Sequence, residues 1–317
     1  MSTSVFSIVV ALDPPPGFAS RVQSIAAQCD ATVIVDNGSI EAIQLHSIAR
    51  GASNLHLIRH DENLGLAKGL NVGIQKAWEL GASHVVLLDH DSTVTPGMVA
   101  ALLKEIDSST WVEEAIAVPI VTFTDHDNLC RWPQTVRSGG FRFRFIYGRD
   151  LEKPTAVDLA IGSGMCFSVD IWNRIGGFDD QLFVDLVDTD FCLRARSNHI
   201  PVVAVPTAKL GHDIGTPDRK NLPILGPVFP THHSCFRHYY IARNRMSLIQ
   251  RHGLRFPSWM IYETLSGIKL TAKVIVFEKE RLKKLKAMLR GTRDGLRIVT
   301  ERRHGARTTP RATKLGP

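Results

Sequence analysis

Apolar positions recur along the first half of this chain in two alternating rhythms. Short runs rich in β-branched residues at 7–12, 32–35, 55–58 and 85–88 read as buried strands, and residues 66–80 carry helical spacing closed by Gly81. A strand, helix, strand succession builds a mainly parallel sheet with right-handed crossovers, the α/β layout of nucleotide-binding folds. Beyond Pro96 the pattern predicts a helix through Ile106, a strand at 115–120, an alternating strand over 141–146, a helix over 188–198, a strand at 202–205 and a helix over 233–250. From about Pro257 Lys and Arg interleave with apolar residues; a single amphipathic helix is expected over 261–289 and a structureless tail after His304. The expected organisation is one catalytic-type domain over 1–252 and a basic amphipathic helical extension over 253–317.

Composition narrows the class. With 44% hydrophobic and 22% charged residues among 317, the chain has ample material for a core. Five cysteines, at 29, 130, 166, 192 and 235, form no Cys-x-x-Cys pair, which argues against a zinc site or disulfide framework and for a reducing compartment, the cytoplasm. The apolar start lacks a basic flank and a small-residue cleavage site, so it reads as a strand and not a signal peptide. No stretch is long and clean enough to span a bilayer. The net charge of +7 is unevenly held: residues 1–236 carry 18 Lys/Arg against 26 Asp/Glu, and residues 237–317 carry 20 against 5. An acidic body with a basic C-terminal quarter points to a polyanionic partner for that quarter, either nucleic acid or anionic lipid.

The chemistry starts where the apolar run at 85–88 ends in Asp89-His90-Asp91. In open α/β sheets ligands bind at the carboxyl ends of the strands. Two carboxylates one residue apart can grip one hard cation, Mg²⁺ or Mn²⁺, which in turn holds a nucleotide diphosphate. Further polar segments accompany it: Asp36-Asn-Gly-Ser39, Glu62-Asn-Leu-Gly-Leu-Ala-Lys-Gly-Leu-Asn-Val-Gly73, Gly176-Gly-Phe-Asp179, Phe183-Val-Asp-Leu-Val-Asp-Thr-Asp190, Lys209-Leu-Gly-His212 and Tyr239-Tyr-Ile-Ala-Arg-Asn244. In this order and spacing, over roughly residues 5–250, they resemble the family-two inverting glycosyltransferases with the GT-A fold, a Rossmann-like nucleotide-sugar-binding architecture. The wording is closest to bacterial rhamnosyltransferases. One departure is in the first strand, where relatives often read Thr-Tyr-Asn and this chain reads Ala11-Leu12-Asp13, which removes a Tyr that would stack on the base and leaves Asp13 as a hydrogen-bond acceptor.

The resemblance implies roles for individual residues. Asp188 becomes the general base that takes the acceptor hydroxyl's proton, its basicity raised by neighbouring acids; as a plain alternative it caps a helix. Asp91 becomes the metal ligand, completed by His212, which is otherwise a core histidine. Asp13, Asp36, Asn63, Gly65, Lys68, Asn71, Asp89 and Arg243 are expected around the donor, with Arg243 forking onto phosphate oxygens. Asp36 has a second reading as a turn former, Gly65 as a packing glycine and Arg243 as a solvated helix charge. Gly162, Ser163, Gly164 and Asp190 are expected on the acceptor side, the first three reading equally well as a turn. The implied reaction is inverting transfer of rhamnose from dTDP-rhamnose to a glycan, lipid-linked in such pathways, during synthesis of a cell-surface polysaccharide such as O-antigen. UDP-galactofuranose or UDP-glucose is the alternative donor. The basic extension is expected to lie on the inner face of the cytoplasmic membrane, anchored by Phe256, Trp259 and Tyr262; the alternative is a helix packed on the catalytic domain with a solvated basic face. A nucleic-acid-binding protein with structural acidic motifs is the rival reading.

Overall fold

The computed structural model describes residues 3–40, 53–108, 110–111, 114–123, 131–135, 142–212, 220–222, 226–228, 230 and 232–308. These fall into two units, Met1–Pro217 and Asp218–Pro317.

The first unit opens with parallel strands β1 (Val5–Ala11), β2 (Ala31–Asp36), β3 (Leu55–Arg59) and β4 (His84–Asp89), joined through helices α1 (Phe18–Ala26) and α2 (Leu66–Glu79) where the connections are described. All six residues of β2 are buried, the continuous apolar run required of a parallel strand covered on both faces. Then follow β5 (Ser92–Val94), α3 (Met98–Ile106), β6 (Ile116–Phe123), a separate hairpin of β7 (Arg131–Thr135) and β8 (Phe143–Tyr147), β9 (Thr155–Val157), β10 (Cys166–Ser168), α4 (Val169–Ile175), α5 (Val187–Ser197) and β11 (Val202–His212). The expected alternating strand is β8; Phe141 itself lies outside the described residues.

The main sheet runs β3-β2-β1-β4-β10-β6-β11-β5, with β9 added to β11. It is parallel across the first four strands and mixed beyond them, because β10 enters antiparallel between β4 and β6. That insertion matters for the site. Cys166 pairs with Val86 and Ser168 with His84, so the chain immediately before β10, residues 162–164, arrives beside the carboxyl end of β4. Strand β11 is longer than the 202–205 run expected from the sequence. Pro206 cannot donate to a ladder, and the register against β6 shifts between Val205 and Lys209 before pairing resumes as far as His212.

The second unit contains a short hairpin, β12 (Lys220–Leu222) with β13 (Gly226–Val228), and helices α6 (Cys235–His252), α7 (Pro257–Phe277) and α8 (Arg281–Thr308). The single amphipathic helix expected over 261–289 is broken at Glu278–Glu280. The Glu278 carboxylate is buried, accepting from Lys284 Nζ at 2.8 Å and from the His232 amide at 3.2 Å, with His238 Nε2 at 3.3 Å. Those contacts hold the chain in an extended turn that no continuous helix can follow. The tail expected to lose structure after His304 stays helical to Thr308.

Helices α6 and α8 pack through glycine. A Cβ on Gly291 would land on the Tyr239 carbonyl oxygen and one on Gly295 on the Arg243 carbonyl oxygen, so two glycines one helical turn apart let the backbones touch. Ala242, Val274 and Met288, from three different helices, form the buried centre of this unit. Helix α6 thus packs with α7 and α8 inside this unit.

Candidate active site

The carboxyl ends of β1, β2 and β4 lie side by side. Asp36 pairs with Ala11 and Asp89 with Val10, which sets the two carboxylates on either side of the end of β1. Hydrogen bonds tie these ends together. The Asn37 amide donates to the Ala11 carbonyl at 2.8 Å, the Asp13 amide to Ser39 Oγ at 2.9 Å, and the Ile40 amide to Asp13 Oδ1 at 2.9 Å. Arg21 Nε donates to the His90 carbonyl at 3.2 Å, fastening the Asp89-His90-Asp91 turn to α1.

Asp188 is brought to the same edge by the segment before β10. Ser163, 2% exposed, shares a 2.7 Å hydrogen bond with Ser92 and accepts the Asp89 amide at 3.2 Å. One residue earlier, the Gly162 amide donates to Asp188 Oδ2 at 3.1 Å, and the Thr189 amide donates to Asp188 Oδ1 at 2.7 Å. Adjacent residues thus connect the Asp-x-Asp turn to Asp188. Gly164 completes the segment with φ +82°, its amide donating to the Leu87 carbonyl at 2.7 Å. Burial pushes the Asp188 carboxyl above its ordinary range; the two amides pull it back, and Asp185 adds to the rise. A carboxylate so placed is a better proton acceptor than one in water. Its helix is capped elsewhere, at Leu186 in a left-handed conformation, so Asp188 sits in the first turn of α5 and not at the cap position.

Asp91 is half-buried at the turn, and the backbone of His212 pairs with Ser92 next to it. A half-buried carboxylate such as Asp91 can lend an oxygen to a hard divalent cation. Among the described residues no three His, Cys, Asp or Glu side chains form a cage sufficient by themselves.

Other expected site residues have different surroundings. Asn71 is fully engaged by protein: its Nδ2 donates to the Phe178 carbonyl at 2.8 Å and to Asp180 Oδ1 at 2.6 Å, and its Oδ1 accepts from Trp172 Nε1 at 3.0 Å and the Phe178 amide at 2.8 Å. Its polarity serves to clip the Gly176-Gly177 turn to α2. Lys68 lies 3.2 Å from Asp180 and, with Asn71, lines an open groove of about 480 Å³ shared with Trp172 and Gly177. Asp190, completely buried, is bound by Arg194 Nε at 2.7 Å one turn along α5, a contact that anchors the helix. Gly65, at φ +89°, packs where a Cβ would come within 2.8 Å of the Phe183 backbone; its service is close chain approach. Asn63 Oδ1 accepts from the Gly65 amide and from Asn37 Nδ2. Asp36 both shapes its turn, accepting the Ser39 amide at 2.9 Å, and lies 3.7 Å from Arg59 Nε. Arg243 belongs to the second unit, where its guanidinium lies 4.6 Å over the Tyr240 ring and Nε donates to Asn244 Oδ1 at 3.0 Å.

Asn37, Arg21 and Ser92 join the site although sequence pattern does not single them out. Asn37 is the buried clamp on the 63–65 loop, and its only signal is its place between Asp36 and Gly38. Arg21 has none, since an isolated charge on an amphipathic helix is ordinary.

A parallel sheet whose strand ends carry Asp36 and Asp89, with Asp91 in the turn that follows and Asp188 beside them, has the layout of a nucleotide-binding α/β domain. The model of glycosyl transferase family 2 matches residues 8–175, more than half of the chain, and the chain belongs to that family. It is 28% identical to the dTDP-rhamnosyl transferase RfbF of Shigella flexneri over 95% of this chain and 98% of that one. It is 23% identical to the N-acetylglucosaminyl-diphospho-decaprenol L-rhamnosyltransferase of Mycobacterium tuberculosis over 66% and 76% of the two chains. The GT-A fold is shared with TarS of S. aureus in complex with UDP-GlcNAc, at TM-score 0.55 and 16% identity over 95% of this chain and 82% of that one. It is shared also with GalNAc-T7 bound to UDP, GalNAc and Mn²⁺, at TM-score 0.53 and 13% identity over 68% and 46%.

Proposed function

We propose that this glycosyltransferase moves rhamnose from dTDP-rhamnose, with inversion, onto a lipid-linked glycan at the inner face of the cytoplasmic membrane, in synthesis of a cell-surface polysaccharide such as O-antigen. The observation that carries the reading is the likeness to the Shigella dTDP-rhamnosyl transferase along nearly the whole of both chains. The local chemistry agrees. Asp188 accepts the acceptor's hydroxyl proton while that oxygen bonds to the anomeric carbon, and the bond to the diphosphate breaks with its electron pair leaving on phosphate oxygen. A single displacement from the face opposite the diphosphate inverts the anomeric centre. The Gly162 and Thr189 amides orient the base, and Ser163 fixes its distance from the Asp89 edge, where the nucleotide is proposed to bind with Asp13, Asp36 and Asn63. Asp91 and His212 are proposed to hold Mg²⁺ or Mn²⁺, which when bound neutralises charge growing on the leaving diphosphate.

A donor panel tests this directly. Purified protein is given dTDP-rhamnose, UDP-glucose and UDP-galactofuranose with a lipid-linked acceptor, nucleotide release is followed, and the product anomer is read by NMR. Preference for dTDP-rhamnose with an inverted centre is expected; preference for a UDP-sugar overturns the donor, and retention overturns the mechanism.

A further inference from the structure

The second unit leaves a long apolar stripe uncovered. On α7 the exposed positions include Leu265, Ile268, Lys269, Ala272, Ile275 and Val276, spaced three or four apart and so lying on one face. Ile268 is 62% and Val276 64% exposed, far above Trp259 at 2% and Val274 at 0% on the packed side. Trp259, expected from the sequence to anchor this region in lipid, is therefore a core residue, and aliphatic side chains take the outward face. On α8, after the turn at Glu278–Glu280, Leu282, Leu289 and Leu296 recur every seven residues, with Leu282 71% and Leu289 72% exposed. Lys279 in the turn and Lys283, Lys286, Arg290 and Arg293 on α8 are exposed around them.

We infer that these faces of α7 and α8 seat on an anionic lipid bilayer, lying in the interface without crossing it. Apolar side chains flanked by cations are what an interfacial helix needs: the former enter the acyl boundary and the latter meet lipid phosphates. No helix among the described residues is long and apolar enough to span a membrane. A second copy of the chain would also cover leucines, but residues 237–317 hold 20 Lys/Arg against 5 Asp/Glu, so pairing two such faces sets like charges together, whereas an anionic surface complements them. The inference deepens the proposed function, resting on it only for why the protein visits a membrane: an acceptor carried on lipid is met there.

The test is sedimentation of the full chain with phosphatidylcholine vesicles, with and without phosphatidylglycerol, at low and high salt. Binding is expected only to the phosphatidylglycerol vesicles and should weaken as salt rises. One variant combines Ile268→Glu with Val276→Glu, both at exposed positions, and a second combines Lys269→Glu, Lys279→Glu and Lys286→Glu. Each should lower partitioning by roughly tenfold or more with melting temperature unchanged. Equal binding by wild type and variants, no binding to either vesicle, or a solution dimer that Ile268→Glu with Val276→Glu dissociates would overturn it. Donor turnover with a detergent-solubilised acceptor is measured alongside. Wild-type turnover without vesicle binding sinks the docking face and leaves the proposed reaction standing, and the reverse outcome does the opposite.

Discussion

Replacing Asp188 by Asn separates proton acceptance from folding and donor binding. Its two carboxylate oxygens accept the amides of Gly162 and Thr189. Asn keeps one acceptor oxygen and turns an NH₂ toward the other amide, a loss of about 1–3 kcal/mol when that amide is left unsatisfied. The burial that raises the Asp188 pKa disfavours an ionised carboxylate and spares a neutral amide, so the two effects oppose each other and the melting temperature should shift by only about 4 °C. Catalysis has no such compensation. Without a proton acceptor kcat should fall by roughly 10² to 10⁴, equivalent to about 3–5 kcal/mol of barrier. Nucleotide release gives kcat, calorimetry with dTDP gives affinity, and donor affinity should be unchanged. The pH dependence carries its own sign. The raised pKa means that the folded state holds this proton more tightly than the unfolded chain, so the group stabilises the fold in acid and that contribution is lost as pH rises through the folded pKa. The variant's melting temperature should accordingly gain on wild type between acid and neutral pH, while wild-type kcat/KM should fall on the acid side above the ordinary carboxylate range. Near-normal turnover, or joint loss of dTDP binding and fold, would refute the assignment.

Asp91→Ala, or EDTA treatment of the wild type, should abolish transfer with restoration by Mg²⁺ or Mn²⁺ in the wild type only; full activity in either case removes the metal from the mechanism. Asn71→Ala breaks four hydrogen bonds that clip the Gly176-Gly177 turn, so it should cost about 2–4 kcal/mol of stability in denaturant titration and leave dTDP affinity alone. Selective loss of dTDP binding at unchanged stability would return Asn71 to the donor site. Gly295→Val should loosen the second unit by about 1–3 kcal/mol or more, seen as early helix melting by circular dichroism, because its side chain collides with the Arg243 carbonyl; an unaltered melt contradicts that packing.

Local pattern carried the first half of the fold, since buried parallel strands announce themselves as apolar runs and α2 as a run of helical period. Asp89, Asp91 and Asp188 stand out in the sequence, as candidates, for a related reason: each lies at the edge of an apolar or helical segment, and folding alone does not require charge there. Long-range pairing was not legible. Nothing in the composition of residues 162–164 says that β10 enters antiparallel beside β4, yet that placement links Asp188 to the Asp-x-Asp turn. A polar side chain that ties the fold together, as Asn71 and Asp190 do, looks in one dimension like one awaiting a ligand. The break at Glu278 was hidden because its cause, three polar groups converging on one carboxylate, is assembled from residues up to 46 positions apart.

The glycine contact between α6 and α8 has a consequence for synthesis. The segment Tyr239–Asn244 leaves the ribosome about fifty residues ahead of Gly291 and Gly295, the surface on which it rests. Until those residues emerge, α6 has no backbone to lean on, and isolated helices of its length are marginal in water. Any product cut short before residue 291 therefore carries the Tyr-Tyr-Ile-Ala-Arg-Asn sequence without the seat that orders it, so a premature stop far downstream of Asp188 reaches back to a helix already made.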